Sequence, residues 1–154
     1  MNIMKTQPDI HPITAAETLP LRQQVLRPKQ RPDEQVYPND DAPDTLHAGA
    51  FHDGRLVGIA TVFRDAPPGE TNPRAWRLRG MAVLPEMQGQ GIGRALVEFC
   101  VAHVRAHGGD LLWCNGRTSA RAFYESLGFR ATGEEFDLPV SGAHFVFRRA
   151  LQPI

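Results

Sequence analysis

A single α/β (α+β) domain built around one mixed sheet is the architecture this sequence predicts. Three observations predict it. Apolar runs of strand length recur between Leu46 and Leu151. Segments with apolar residues at helical spacing fall between those runs. The resulting order is helix, hairpin, strand, helix, strand, helix, hairpin, which brings helices and strands together in one layered unit. The chain has 154 residues, 42% of them apolar, and that is enough for one buried core.

Residues 10–27 read as a short extended segment followed by a helix. Thr14 and Glu17 have the spacing of a capping box, with Thr18 before Leu19-Pro20 as a competing start. Pro28 ends the helix. Residues 28–45 carry four prolines and the acids Asp33, Glu34, Asp40, Asp41 and Asp44. They read as a solvated loop and the best candidate for a mobile substrate-side segment, with attraction of a cationic amine by its negative field as the alternative. Leu46 to His52 and Arg55 to Arg64 flank Asp53-Gly54, a pair suited to a type I′ hairpin turn. After a Pro/Gly loop at 67–73, Ala75 to Val83 forms a strand that stops at Leu84-Pro85. Ile92, Ala95, Leu96, Phe99, Cys100 and His103 mark one face of a helix from Gly91 to about His107, stopped by Gly108-Gly109. Leu111 to Cys114 is a short buried strand. Ala120, Phe123, Tyr124 and Leu127 define a short helix closed by Gly128. Phe129 to Leu138 and Ala143 to Leu151 are the last two strands.

Lys plus Arg number 17 and Asp plus Glu number 17, so no basic excess exists to neutralise a nucleic acid or a membrane surface, and neither is expected as a partner. Met1 to Ile10 lacks an apolar core segment, and no apolar run of membrane-spanning length occurs. Cys100 and Cys114 sit in apolar stretches and read as buried free thiols of a reducing, cytoplasmic compartment.

The most informative segment is LRGMAVLPEMQGQGIGRAL, Leu78 to Leu96. A strand runs into Pro85, and Gln88-Gly89-Gln90-Gly91-Ile92-Gly93 opens a long helix. The start of a helix leaves main-chain N–H groups unpaired and carries partial positive charge, so it suits a phosphate anion. Glycine lets the ligand come close, and Arg94 adds a cation where helix stability alone disfavours one. The G-x-x-x-x-G-K-[ST] loop is absent. The G-x-G-x-x-G fingerprint fails by one residue, since the spacing here is G-x-G-x-G.

The segment resembles the coenzyme A-binding motif Q/R-x-x-G-x-G/A of the GCN5-related N-acetyltransferases (GNAT), with Gln88, Gly91 and Gly93 at its fixed positions. Met81-Ala82-Val83-Leu84-Pro85 is similar to that family's strand end. Ala120 to Phe129 is similar to its A-x-x-F-Y-x-x-x-G-F pattern. The likeness covers about residues 46–150 of a single domain spanning 1–154. It implies a mostly antiparallel seven-stranded sheet with flanking helices, whose parallel central pair splays apart to admit the pantetheine arm.

The resemblance also implies acetyl-coenzyme A as co-substrate, with no metal. Met81, Ala82, Val83, Gln88, Gly89, Gln90, Gly91, Ile92, Gly93, Arg94 and Asn115 would bind it, Asn115 against the pantetheine. Tyr124 would stand near the thioester sulfur. A tyrosine hydroxyl is a feasible acid for a departing thiolate, and N–H groups near Met81 to Val83 can face the oxyanion. Some members place a glutamate base where this chain has Arg77, and an arginine cannot act as a base. Glu70, His47 and His144 are the remaining base candidates. Arg77 and Arg79, two apart on a strand face shared with Met81, are candidates for holding a carboxylate or phosphate on the substrate. The expected activity is acetyl transfer to a small-molecule amine by a possible homodimer. The alternatives are acetylation of protein lysines or N-termini, and a coenzyme A-binding module without turnover.

Overall fold

The computed structural model describes residues 8–153. Most of the N-terminal stretch read for a leader lies outside them. Seven strands form one sheet: β1 (Asp9–Pro12), β2 (Leu46–His52), β3 (Arg55–Arg64), β4 (Ala75–Val83), β5 (Leu111–Arg117), β6 (Arg130–Leu138) and β7 (Gly142–Ala150). Their spatial order is β1-β2-β3-β4-β5-β7-β6. Every neighbouring pair is antiparallel except β4 and β5. This is the mixed sheet that the resemblance implies.

Three helices flank it. Thr14 wins as the cap of α1 (Ala15–Leu21): Glu17 N–H donates to Thr14 Oγ1 at 3.2 Å, and Thr14 N–H donates to Glu17 Oε1 at 2.9 Å. Pro20 lies inside α1 and has no N–H to give the preceding turn. Beyond it the chain widens into a π-helical turn, Arg22–Leu26, instead of continuing as one α-helix to residue 27. Helix α2 (Ile92–Ala106) buries Ile92, Leu96, Val97, Cys100, Val101 and Val104 against the sheet. Of the predicted stripe Ile92, Leu96 and Cys100 are buried, while Ala95, Phe99 and His103 stay half-buried at its edge and Val97, Val101 and Val104 take their place. Helix α3 (Arg121–Ser126) is one and a half turns long. Asp53 and Gly54 both have positive φ, 51° and 76°, as a type I′ turn requires.

Strand β5 is longer than the sequence pattern indicates. It runs three residues past Cys114, because β7 pairs with it to the end through Asn115↔Val146, Gly116↔Phe145 and Arg117↔His144. Asn115 is therefore within the strand rather than after it. A partner strand some thirty residues away sets that length.

Two features of β4 shape the site. It pairs with β5 only at Ala75↔Leu111, Trp76↔Leu112 and Arg77↔Trp113, and beyond Arg77 the two strands part. Against β3, the register slips between Arg79↔Thr61 and Ala82↔Ile59, which inserts one extra residue at Gly80-Met81. That is a β-bulge, and Gly80 supplies its left-handed backbone with φ +66°. The sheet faces follow from the registers. A Cβ on Gly58 would meet Leu96 and Ile92, so α2 covers the face that Gly58, and hence Val62 and its partner Leu78, present. Arg77, Arg79, Thr61 and Ala82 point to the opposite face, which α1, the π-turn and the loop after it cover. Met81 drops out of the alternation at the bulge, so Ala82 shares the face of Arg77 and Arg79, and Met81 does not.

Candidate active site

The parting of β4 and β5 opens a cleft of about 1180 Å³. The edges of residues 78–83 that would have continued the parallel ladder face into it. At one end of the cleft lies the start of α2. Its N-cap is Gly91, with φ +84° and no side chain to satisfy the first N–H groups. A Cβ on Gly89 or Gly91 would meet nothing within 4 Å, so space stands open over this backbone. Exposed, uncapped amides at a helix start with room above them fit a diphosphate.

The neighbouring side chains build the turn as well as line it. Gln88 Nε2 donates to Val83 O at 3.1 Å, which ties the loop back onto β4. Arg94 Nη2 donates to Ser126 O at 3.1 Å, so this cation also closes the C-terminal end of α3. Gly93 packs beneath Phe123, where a Cβ would come within 3.2 Å. Met81, Ala82, Val83, Ile92 and Asn115 line the cleft; Gln90 is exposed and does not.

Tyr124 reaches the cleft from α3, and packing holds its ring. It stacks on Phe147 at 4.6 Å between centroids and meets Phe129 edge-on at 5.9 Å. A Cβ on Gly116 would lie 2.5 Å from the Tyr124 ring, so only a glycine lets the ring sit flush on β5. The hydroxyl and the Cys114 thiol are close enough to shift each other's ionisation. Burial pushes the Cys114 thiol up to about 12, and burial followed by Cys114 pushes the Tyr124 hydroxyl well above the usual tyrosine range. Both groups hold their protons at neutral pH.

The opposite face of the gap is cationic. Arg77 stacks on Trp113 at 4.9 Å, and its nearest carboxylate, on Asp65, is 3.9 Å away. Its Nε is buried without a hydrogen-bond partner. The Oδ1 of Asn115 is likewise buried and unpartnered. Arg79 lies over the Tyr37 ring at 4.0 Å, and Arg22 lies over the same ring at 3.8 Å.

Tyr37 carried no signal in the sequence. Its place comes from a buried ion pair: Arg22 donates to Asp40 Oδ2 and Oδ1 at 2.7 and 3.0 Å, and to Gln35 O and Thr61 Oγ1 at 2.9 Å each. Tyr37 N–H donates to Asp40 Oδ2 at 2.9 Å. The loop expected to be free and acidic is thus clamped to the sheet. Four of its five acids are paired locally, Asp33 and Glu34 with Arg31, Asp40 with Arg22 and Asp44 with Arg64; Asp41 has no ion pair among the described residues.

The base candidates separate clearly. His47 uses both ring nitrogens, on Thr61 Oγ1 and Asp40 O at 2.9 and 3.0 Å, inside that same network and away from the cleft. Glu70 makes a bidentate pair with Arg148, also outside the cleft. His144 lines the cleft and is 5% exposed. Its Nδ1 donates to Gly142 O at 2.6 Å, which leaves Nε2 as the acceptor in the neutral ring. Among the described residues no cluster of three or more metal-ligating side chains occurs, and no helix is long and apolar enough to cross a membrane.

Known proteins share both fold and sequence with this chain. The profile of the Acetyltransferase (GNAT) family matches residues 13–129. The Bacillus subtilis protein named as the uncharacterized N-acetyltransferase YitI is 33% identical over 144 residues, covering 94% of this chain and 97% of that one. The N-alpha-acetyltransferase RimI of Mycobacterium tuberculosis is 34% identical over 95 residues, 60% of this chain and 56% of its own. Among solved structures, an acyl-CoA N-acyltransferase from Pseudomonas aeruginosa superposes with TM-score 0.73 at 23% identity, over 94% of this chain and 100% of that one. Escherichia coli ElaA superposes with TM-score 0.74 at 18% identity, over 93% and 99%. With a family profile over most of its length and a relative matched end to end, the chain belongs to the acetyltransferase (GNAT) family and is an N-acetyltransferase of that acetyl-coenzyme A-using kind.

Proposed function

We propose that the protein moves the acetyl group of acetyl-coenzyme A onto the primary amine of a small molecule by direct attack, with Tyr124 as the acid. The observation that carries this reading is the Tyr124 ring, held by Phe147 and Phe129 in the lining of the cleft where β4 and β5 part. The diphosphate would rest on the amides that open α2. The pantetheine would lie along the free edge of β4, where Asn115 Oδ1 can accept one of its N–H groups.

In the reaction the amine nitrogen bonds to the thioester carbon and the C–S bond breaks. The Tyr124 proton goes to the sulfur. The proton shed by the amine leaves through water or to His144 Nε2, and the phenolate is then reprotonated from solvent. A free thiol near pKa ~8.5 is a weaker base than phenolate, so this transfer is uphill in water. Burial raises both partners: the Cys114 thiol is pushed up to about 12, a thiolate expelled beside it would gain basicity from the same lack of water, and the Tyr124 hydroxyl is raised as well, so the gap between acid and thiolate stays small. Holding amine and thioester together supplies much of the remaining acceleration. The two buried free cysteines suit a reducing compartment such as the cytoplasm.

A panel of small amines and N-terminal peptides with acetyl-coenzyme A, followed by thiol release and product mass, tests the proposal. The expected result is release with small amines. Release with peptides alone would move the assignment to protein acetylation. Calorimetric binding of coenzyme A with no release from any acceptor would show a module without turnover.

A further inference from the structure

We infer that the acceptor is an amine that carries an anionic group, a carboxylate or phosphate, in the same molecule, and that Arg77 and Arg79 hold that group. The inference rests on the acyl-transfer reading and adds the substrate class.

The two guanidiniums cannot be part of the diphosphate grip. They point to the sheet face opposite α2, whereas the uncapped amides belong to the start of α2. They flank the open gap from the other side, where a second reactant would approach the thioester.

They are also under-satisfied. Among the described residues Arg79 has neither a hydrogen bond nor an ion pair; its contact is the stack on Tyr37. Arg77 has a buried, orphaned Nε and a carboxylate no closer than 3.9 Å. Two like charges two residues apart on one strand face repel. Burial, and then the charge of Arg79, push the Arg77 guanidinium down. A partly buried cation pair with a single carboxylate at 3.9 Å is costly, and an anion relieves both the repulsion and the orphaned donor.

The pair is preorganised to receive one. The Tyr37 ring is clamped between Arg79 and Arg22 and lies against Gly80, where a Cβ would come within 2.9 Å. Arg22 is itself locked to Asp40. A planar guanidinium stacked on a fixed ring loses little freedom when it binds.

Charge around the cleft points the same way. Five arginines line it: Arg27, Arg77, Arg79, Arg94 and Arg117. The one lining carboxylate is Glu34, already paired with Arg31 at 3.1 Å. An amine bearing only positive charge would be repelled from such a cleft. A zwitterion would be drawn in by its anionic end.

The test uses matched amines on one skeleton: an amino carboxylate, an amino phosphonate, the neutral amide and the decarboxylated amine. With the wild-type protein, kcat/KM for one anionic form exceeds that of the neutral forms by roughly ten- to hundredfold, the range for hydrogen bonds to a charged group. Which anion wins separates carboxylate from phosphate. Arg77→Gln and Arg79→Gln each drive that ratio toward one, through KM, while calorimetry gives the wild-type Kd for coenzyme A. Equal kcat/KM for anionic and neutral amines overturns the inference. So does a loss of coenzyme A affinity in the variants, which would assign the arginines to the donor. The wild-type comparison stands even where a variant does not fold. If coenzyme A binds and no amine reacts, the acyl-transfer reading fails by itself. Calorimetry of the anionic amines on the coenzyme A complex then decides the pocket: heat that Arg79→Gln abolishes supports it, and no heat overturns it.

Discussion

Tyr124 shows how one side chain's surroundings set its chemistry. Three aromatic neighbours fix the ring, and Gly116 leaves room for it on β5. Its hydroxyl is buried near the Cys114 sulfur, with the Arg117 charge a lesser influence. Because its pKa is raised, it remains a donor from neutral far into alkaline pH. Activity in the wild type therefore rises with pH as the amine loses its proton, with no fall below about pH 10 from ionisation of this residue. Tyr124→Phe keeps the stack and removes the proton. We expect kcat to fall by roughly 10²- to 10⁴-fold with coenzyme A affinity unchanged by calorimetry. Wild-type turnover in this variant would remove the residue from the mechanism and leave it as packing.

Strand β4 is the element that turns the fold into a site, and it divides what was legible in the sequence from what was not. Its end, the turn and the start of α2 were legible, because Pro85, Gln88 and the glycines act on their own neighbours. So was the extent of α2, though its buried stripe is turned toward Val97, Val101 and Val104 from the predicted Ala95, Phe99 and His103. The isolated Gly80 was a signal passed over: a lone glycine in a strand pattern marks a bulge, and the bulge is why Met81 leaves the face of Arg77 and Arg79. Tyr37 and the last three residues of β5 were not legible, since each depends on a partner far along the chain: Tyr37 on Arg22, which fixes its neighbour Asp40, and β5 on β7. Nor was the Cys114–Tyr124 contact, which joins β5 to α3. The bulge can be tested as an element. Gly80→Ala puts a side chain at φ +66° and within 2.9 Å of the Tyr37 ring. We expect a loss of roughly 1–3 kcal/mol in chemical denaturation, with a rise in KM for the amine as the Arg79 stack is displaced. A variant of wild-type stability would show that the strand can relax without the bulge.

Across the whole molecule charge is balanced at 17 against 17, yet its placement is uneven: arginines crowd the cleft while most of the loop acids are consumed in pairing. The pair that matters most for folding is Arg22–Asp40, since it joins the π-turn, the loop and β3 through Thr61. Burial alone would raise the Asp40 carboxyl. The hydrogen bonds from Arg22 and from Tyr37 N–H, with the Arg22 charge, outweigh it and leave the group below its ordinary value. An acid whose pKa is lower folded than unfolded stabilises the protein above the unfolded value and loses that contribution as pH falls through the folded one. Stability should therefore be full at neutral pH and decline below about pH 4. Removing one partner of a buried pair costs roughly 3–5 kcal/mol, or about 6–20 °C in Tm for a chain of this size. Asp40→Asn should accordingly melt well below the wild type at pH 7. The gap should narrow as pH falls below about 4, where the unfolded wild-type carboxylate takes up a proton and the contribution of the ionised pair is progressively lost. A gap that stays constant from pH 7 to pH 3 would mean that the amide is a steric misfit and that the charge on Asp40 contributes nothing to holding the loop over the cleft.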